Sequence, residues 1–214
     1  KNKAEADKIT SDLDKAVYAV ANVEKKQVKR NAPRPFTTSL LQQTANRWLG
    51  YSARQTMTVA QQLYEQGFIT YMRTDSQFMS EKFLKDAHDY LLSKHGKEYA
   101  LAKPRRFKTK SKNAQEAHEA VRPTEAARTP ESVKDGLERN QYKLYKLIWQ
   151  RSVASQMPEA VFDATALDID AQGTVYQFRA TGQTLDFDGF LKIYPEKASE
   201  IELPRVNVGE VLDL

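Results

Sequence analysis

The chain has 214 residues, is 40% hydrophobic and 29% charged, and carries a formal net charge of +5 with no cysteine. That length and apolar share suffice for a buried core in one or two domains, and the lack of cysteine excludes disulfides and thiolate metal sites and fits a reducing cytoplasm. No apolar run approaches the length that spans a bilayer, no secretory signal is visible, and the first residue, Lys1, is not Met, which suggests a piece of a longer protein that meets no membrane.

In chain order, Glu5 to Lys15 reads as a short helix with a charged face, and Ala16 to Val28 alternates as a strand. Pro33 and Pro35 then break regular structure and suggest a domain crossing. Thr37 or Thr38 caps a predicted helix through Leu40, Leu41, Ala45 and Trp48, closed by Gly50. Ser52 caps the next, with Met57, Ala60, Leu63 and Tyr64 on its buried side and Gly67 past its end. A short strand around Tyr71 follows, then a turn at Asp75 and Ser76. Ser80 caps a third helix through Phe83, Leu84, Ala87, Tyr90 and Leu91, stopped by Gly96. Lys103 to Lys112 is a loop with six basic residues and no acid. Asn140 caps a long helix through Tyr145, Leu147, Ile148, Trp149 and Val153, ended by Pro158.

Beyond Pro158 the period changes. Val161–Ile169 and Val175–Ala180 read as strands around an Ala171-Gln172-Gly173 turn; Leu185–Tyr194 and Val206–Leu214 are weaker strand candidates. The order is β-prone, helical, β-prone. The expectation is an α+β fold in which a helical domain (33–157) is inserted into a β-rich domain split into residues 1–32 and 158–214. Charge divides similarly. Lys1 to Met157 holds 29 basic and 17 acidic residues, net +12; the rest holds four basic and eleven acidic, net −7. Asymmetry of this kind points to nucleic acid.

The densest chemical signal is Gly67-Phe68-Ile69-Thr70-Tyr71-Met72-Arg73-Thr74-Asp75-Ser76. In a strand, side chains at i and i+2 share a face, so Tyr71 and Arg73 point the same way. A phenol beside a guanidinium is a device for attacking a phosphodiester: the phenol is the nucleophile and the guanidinium grips phosphate oxygens. A free phenol, with pKa ~10, is about one part in a thousand phenolate at pH 7. A neighbouring cation favours the charged form, and Arg73 can also offset charge developing on phosphorus. Asp75 is read as structural only. Lys103, Arg105, Arg106 and Lys108, with Phe107 among them, can track a DNA backbone while one ring stacks on a base. The His118-Glu119 pair lacks the H-E-x-x-H spacing of a metal site, and no phosphate-binding glycine loop occurs. His88 and His95 match no pattern.

The ten-residue block resembles the active-site signature of type IA DNA topoisomerases, the bacterial topoisomerase I group. So do the wider Pro33–Ser76 segment and Gln115-Glu116-Ala117-His118-Glu119-Ala120-Val121-Arg122-Pro123-Thr124. The resemblance implies a helical nucleophile-bearing domain inserted in a β-rich arch. It implies that Tyr71 attacks one DNA strand and keeps the 5′ phosphate, and that Arg73 positions that phosphate. His118 would be a phosphate ligand or proton-transfer aid, and Arg122, four residues on, a DNA contact, although Pro123 pushes Arg122 out of helical geometry. Such enzymes relax negative supercoils by strand passage without ATP. They bind Mg²⁺ through a Toprim domain for which this chain shows no acidic cluster. The expectation is therefore a monomeric fragment, inactive alone in relaxation, whose partners are single-stranded DNA and the Toprim and remaining domains of the parent chain. A second reading is a non-catalytic single-stranded DNA-binding module in which Tyr71 stacks on a base. A tyrosine recombinase or type IB enzyme is disfavoured, because Tyr71 precedes His118 and the spacing is H-x-x-x-R.

Overall fold

The computed structural model describes residues 2–107, 119–196 and 201–213. The fold is α+β, and the chain forms two compact units. The β unit comprises Lys1–Arg30, Val161–Phe187 and Lys197–Leu214; the helical unit comprises Asn31–Ala160 and Asp188–Glu196. By sequence the helical unit carries 22 basic and 15 acidic residues, net +7, and the β unit 11 and 13, net −2.

The β unit opens with helix α1 (Lys3–Leu13), capped by Asn2 accepting from the Glu5 amide at 3.0 Å, and none of its residues is buried. Strand β1 (Val17–Arg30), β2 (Ala160–Gln172), β3 (Gln177–Phe187) and the short β4 (Val211–Leu212) form one sheet in the order β3-β2-β1-β4. β2 and β3 make an antiparallel hairpin from Val161↔Phe187 to Asp170↔Gln177, turned where Gly173 takes φ 79°. Gly182 matters differently. A Cβ there would lie 2.4 Å from the Ile201 carbonyl oxygen, so only glycine lets that segment bridge to Gln183.

The helical unit contains α2 (Thr38–Leu49), α3 (Ala53–Glu65), α4 (Glu81–His95), a single turn α5 (Pro130–Val133) and α6 (Arg139–Ala154). Thr37, Ser52 and Ser80 cap α2, α3 and α4 by accepting from the amides of Leu40, Gln55 and Phe83. α6 departs from expectation. Its cap is Glu138, whose side chain pairs with the first turn while Gln141 reaches back to the Glu138 amide at 3.1 Å. Asn140 instead accepts from the Tyr51 hydroxyl at 3.1 Å. The core between α2, α3 and α6 is built from Leu41, Ala45, Ala60, Leu63, Leu144 and Ile148, all fully buried.

The segment expected as a strand over Leu185–Tyr194 is mostly not one. β3 ends at Phe187, and Gly189–Lys192 form a 3-10 turn packed in the helical unit. Phe190 and Tyr194 are buried there, and the Phe190 amide donates to the Pro158 carbonyl at 3.1 Å. Gly189 makes the approach possible, since a Cβ would stand 2.3 Å from the Glu159 carbonyl oxygen. Burial of two aromatic rings outweighs extension of the hairpin.

Candidate active site on the helical unit

Tyr71 does not lie in a strand. Ile69 forms a single antiparallel bridge to Pro123, and residues 71–80 are irregular. The backbone is nonetheless tied on both sides of the tyrosine. Upstream, the Thr70 amide donates to the Arg122 carbonyl at 2.9 Å and the Thr124 amide to the Phe68 carbonyl at 3.0 Å. The Thr70 hydroxyl donates to the Ala120 carbonyl at 2.6 Å. Downstream, the first residue of α2 takes the place of a neighbouring strand. The Thr38 hydroxyl donates to the Met72 carbonyl at 2.7 Å and accepts from the Thr74 amide at 2.8 Å. The Thr38 amide donates to the Thr74 carbonyl at 2.9 Å.

Burial alternates along this run without a ladder. Met72, Thr74 and Ser76 are buried, whereas Tyr71, Arg73 and Asp75 are exposed. Met72 is fully buried and anchors the run between two exposed side chains. Tyr71 is 41% exposed, and its ring meets that of Tyr64 edge to face, with centroids 5.2 Å apart and planes at 66°. Arg73 and Asp75 make no hydrogen bond or ion pair among the described residues. Among the described residues, a phenol and a guanidinium thus stand uncommitted on a stiff stretch of backbone. A cavity of about 640 Å³ in the β unit, lined by Lys25, Lys26, Asp163, Gly182 and Arg205, contains none of these residues.

The second motif block behaves otherwise. Arg122, expected to contact DNA, is 7% exposed and its donors are spent internally. Nε and Nη2 donate to the two Glu119 oxygens at 2.6 and 2.9 Å, and Nη2 also to the Ser80 hydroxyl at 3.2 Å. Nη1 donates to the Pro123 and Thr124 carbonyls at 2.8 and 3.2 Å, and the guanidinium lies 4.7 Å from the centre of the Phe83 ring. A guanidinium has five N–H groups, and five acceptors are present here. Arg122 therefore holds the 119–124 segment against α4 and is not available to a phosphate. Burial pushes the Glu119 carboxyl up, but the Arg122 hydrogen bond and charge and the Ser80 hydrogen bonds outweigh it and hold it below the usual value. His118 and Lys108 lie outside the described residues.

The basic loop also divides. Lys103 is exposed. Arg105 is half-buried and closes the end of α6, its Nη1 donating to the Ser155 and Met157 carbonyls at 2.9 and 3.0 Å. Arg106 forms an exposed two-point pair with Glu81 at 2.8 and 2.9 Å. Phe107 is not a free stacking ring; it packs on the cluster of Met79, Phe83, Leu84, Ala87, Ala120 and Ala126.

A family model described as DNA topoisomerase matches residues 1–214, the whole chain. The chain belongs to the type IA DNA topoisomerase family. The proteins named DNA topoisomerase 1 of Rickettsia felis and Rickettsia prowazekii are each 42% identical to it over 207 residues, covering 93% of this chain and 27% of theirs. The full-length topoisomerase I structure of Thermotoga maritima superposes with a TM-score of 0.82 at 34% identity, over 99% of this chain and 35% of that one. The chain thus spans about a quarter of the length of the curated topoisomerases it matches.

Within this family member, sequence reasoning missed Tyr64. It assigned Met57, Ala60, Leu63 and Tyr64 to the buried stripe of α3, but the buried residues are Thr56, Val59, Ala60 and Leu63. Thr56 is polar, but its hydroxyl donates to the Ser52 carbonyl at 2.9 Å, so it can be buried. Moving the stripe back by one position turns Tyr64 outward, towards Tyr71.

Proposed function

We propose that this chain carries the nucleophile of a DNA topoisomerase that breaks and rejoins one strand through Tyr71. The Tyr71 oxygen, once deprotonated, attacks a backbone phosphorus. The bond from phosphorus to the 3′ oxygen breaks, the 3′ end leaves as a hydroxyl after taking a proton, and the 5′ phosphate stays on the tyrosine. Arg73 holds the phosphate oxygens and offsets the charge that develops on them. His118 assists as a phosphate ligand or proton-transfer group. One phosphate ester replaces another, so the freed hydroxyl can reverse the step without ATP. The broken strand stays tethered while the helical unit, the domain that bears the nucleophile, moves with it and the β unit serves as part of the arch. Strand passage through that gap relaxes negative supercoils.

The observation that carries this reading is the exposed Tyr71 and Arg73 on a backbone tied down at Thr70, Met72 and Thr74. An open surface suits a polymeric substrate better than a closed pocket. The net +7 of the helical unit favours a polyanion, here a single-stranded DNA segment. Among the described residues no group of three or more His, Cys, Asp or Glu is arranged to hold a metal ion, and the residues here do not fit Mg²⁺. No step above runs through a metal; Mg²⁺ is assigned to a Toprim domain of the parent enzyme. No helix among the described residues is long and apolar enough to cross a membrane, and a monomer working in the cytoplasm is the simplest setting.

The test joins this chain to the Toprim and remaining domains of a topoisomerase and measures plasmid relaxation with Mg²⁺ and trapping of a 3′-labelled DNA adduct. Relaxation and adduct are expected, both abolished by Tyr71→Phe, while the 214-residue chain alone relaxes nothing. Binding of single-stranded DNA that survives Tyr71→Phe, with no relaxation by any longer form, would instead favour the stacking module.

A further inference from the structure

The Tyr71 ring has one aromatic partner among the described residues, Tyr64, and its hydroxyl has no hydrogen bond there. A nucleophile needs that combination. An edge-to-face ring contact restrains the side chain while leaving the phenol oxygen open to a base and to phosphorus. An exposed tyrosine without such a contact populates several staggered χ1 wells, and only a fraction of its population points at any one target.

Tyr64 is well placed to impose one well. It sits in the last turn of α3, on the flank of the stripe buried through Val59, Ala60 and Leu63. The seven-residue path from Tyr64 to Tyr71 is closed step by step. The Gly67 amide donates to the Tyr64 carbonyl at 2.9 Å and the Phe68 amide to the Leu63 carbonyl at 2.8 Å. The Gly67 carbonyl accepts from Arg128 Nη1 at 3.0 Å and from the Thr124 hydroxyl at 3.1 Å. Arg128 also lies 4.4 Å from the centre of the Phe68 ring. The two rings therefore meet because two tied backbones bring them together, not through chance approach of free side chains.

We propose that Tyr64 is a positioning residue for Tyr71, holding the phenol in one rotamer with its oxygen exposed to DNA. Its role is that of a ring, and its own hydroxyl is dispensable. The inference rests on the reading of Tyr71 as nucleophile, but its first test does not. In the 214-residue chain labelled at tyrosine, NMR couplings across χ1 of Tyr71 are expected to report one rotamer in the parent sequence and in Tyr64→Phe, and an average over wells in Tyr64→Ala. Tyr64→Leu, which keeps apolar cover without a ring edge, is expected to average as well, and it serves if the alanine variant melts early. A single Tyr71 rotamer in both Tyr64→Ala and Tyr64→Leu would overturn the proposal. In the longer enzyme, single-turnover cleavage at saturating oligonucleotide is expected to fall about threefold in Tyr64→Ala, the loss of one well in three. It should recover in Tyr64→Phe, with DNA affinity unchanged. A fall in affinity with no change in the cleavage step would mean Tyr64 contacts DNA instead. Cleavage that survives Tyr71→Phe would remove the nucleophile reading and leave the NMR result standing.

Discussion

In the helical unit the Tyr71 run is held by hydrogen-bonded side chains that are buried or half-buried: half-buried Thr38 on one side, and on the other the 119–124 segment, itself fixed by buried Arg122 and half-buried Glu119. The β unit is organised differently. Among its described residues only Ala19, Val20, Phe162, Leu167 and Ala171 are buried apolar side chains, while Val175, Phe178, Ile201, Val208 and Val211 stand exposed. Its strands are laced instead by exposed polar pairs, Glu24 and Asp168 with Arg179, Asn22 with Asp168 and Gln27 with Asp186. The contrast suggests a division of labour. A reacting group needs a stiff, dehydrated support, and the unit that carries Tyr71 has one. A strand framework tolerates wet ion pairs because no atom in it must be placed to a fraction of an ångström.

The sharpest way to break that comparison is Arg122→Ala. Arg122 is buried but Glu119 is half-buried and keeps its Ser80 amide donor, so removing the guanidinium should cost about 2–3 kcal/mol, less than the about 3–5 kcal/mol of a fully buried pair. Both tryptophans, Trp48 and Trp149, belong to the helical unit, so urea unfolding followed by their fluorescence reports that unit alone. A loss under about 1 kcal/mol would show that Arg122 and Glu119 do not hold the segment.

How far the sequence could be read follows from the same physics. The caps at Thr37, Ser52 and Ser80 were legible, because a hydroxyl before an apolar period has few other uses. The cap at Glu138 was not, since glutamate is an uncommon cap and Asn140 offered a commoner one. Tyr71 and Arg73 were legible as a motif, but the strand expected to align them is absent; a threonine on a distant helix supplies the backbone partners, which no local pattern announces. Arg122 carried a clue in Glu119 three residues earlier, the spacing of an ion pair. Family-like context next to His118 pulled it towards DNA. Phe107, ringed by lysines and arginines in sequence, shows the limit: charge around a ring says nothing about which side of the chain it turns to.

A smaller effect sharpens the comparison through pH. The Glu119 carboxyl is held below its usual value by Arg122 and Ser80 against the opposing pull of burial. A carboxyl depressed on folding contributes stability that is present above its unfolded value, near ~4.3, and is lost as pH falls through the folded value. Glu119→Gln removes that contribution. At pH 7 the variant is expected to unfold at lower urea than the parent, with the gap narrowing below about pH 4.5. Midpoints measured from pH 3 to 7 by tryptophan fluorescence decide it; a gap that stays constant with pH would mean the carboxylate charge is irrelevant to the clamp.

The smallest effect is expected on the other side of the comparison. Arg179 reaches Glu24 at 3.0 Å and Asp168 at 3.2 Å, joining β3 to β1 and β2, but its side chain is 53% exposed. Water already solvates these charges, and salt screens them over about 8–10 Å. Arg179→Ala should therefore cost no more than about 1 kcal/mol, and added salt should shrink even that difference. Hydrogen exchange of the β2 and β3 amides reads this directly, since the helical unit does not contribute to it. Protection that collapses in the variant would mean the wet pairs hold the hairpin as firmly as Arg122 and Glu119 hold the 119–124 segment. Protection that barely moves would mean hydrogen bonding along the hairpin suffices, leaving the charged side chains free to face solvent or a polyanion.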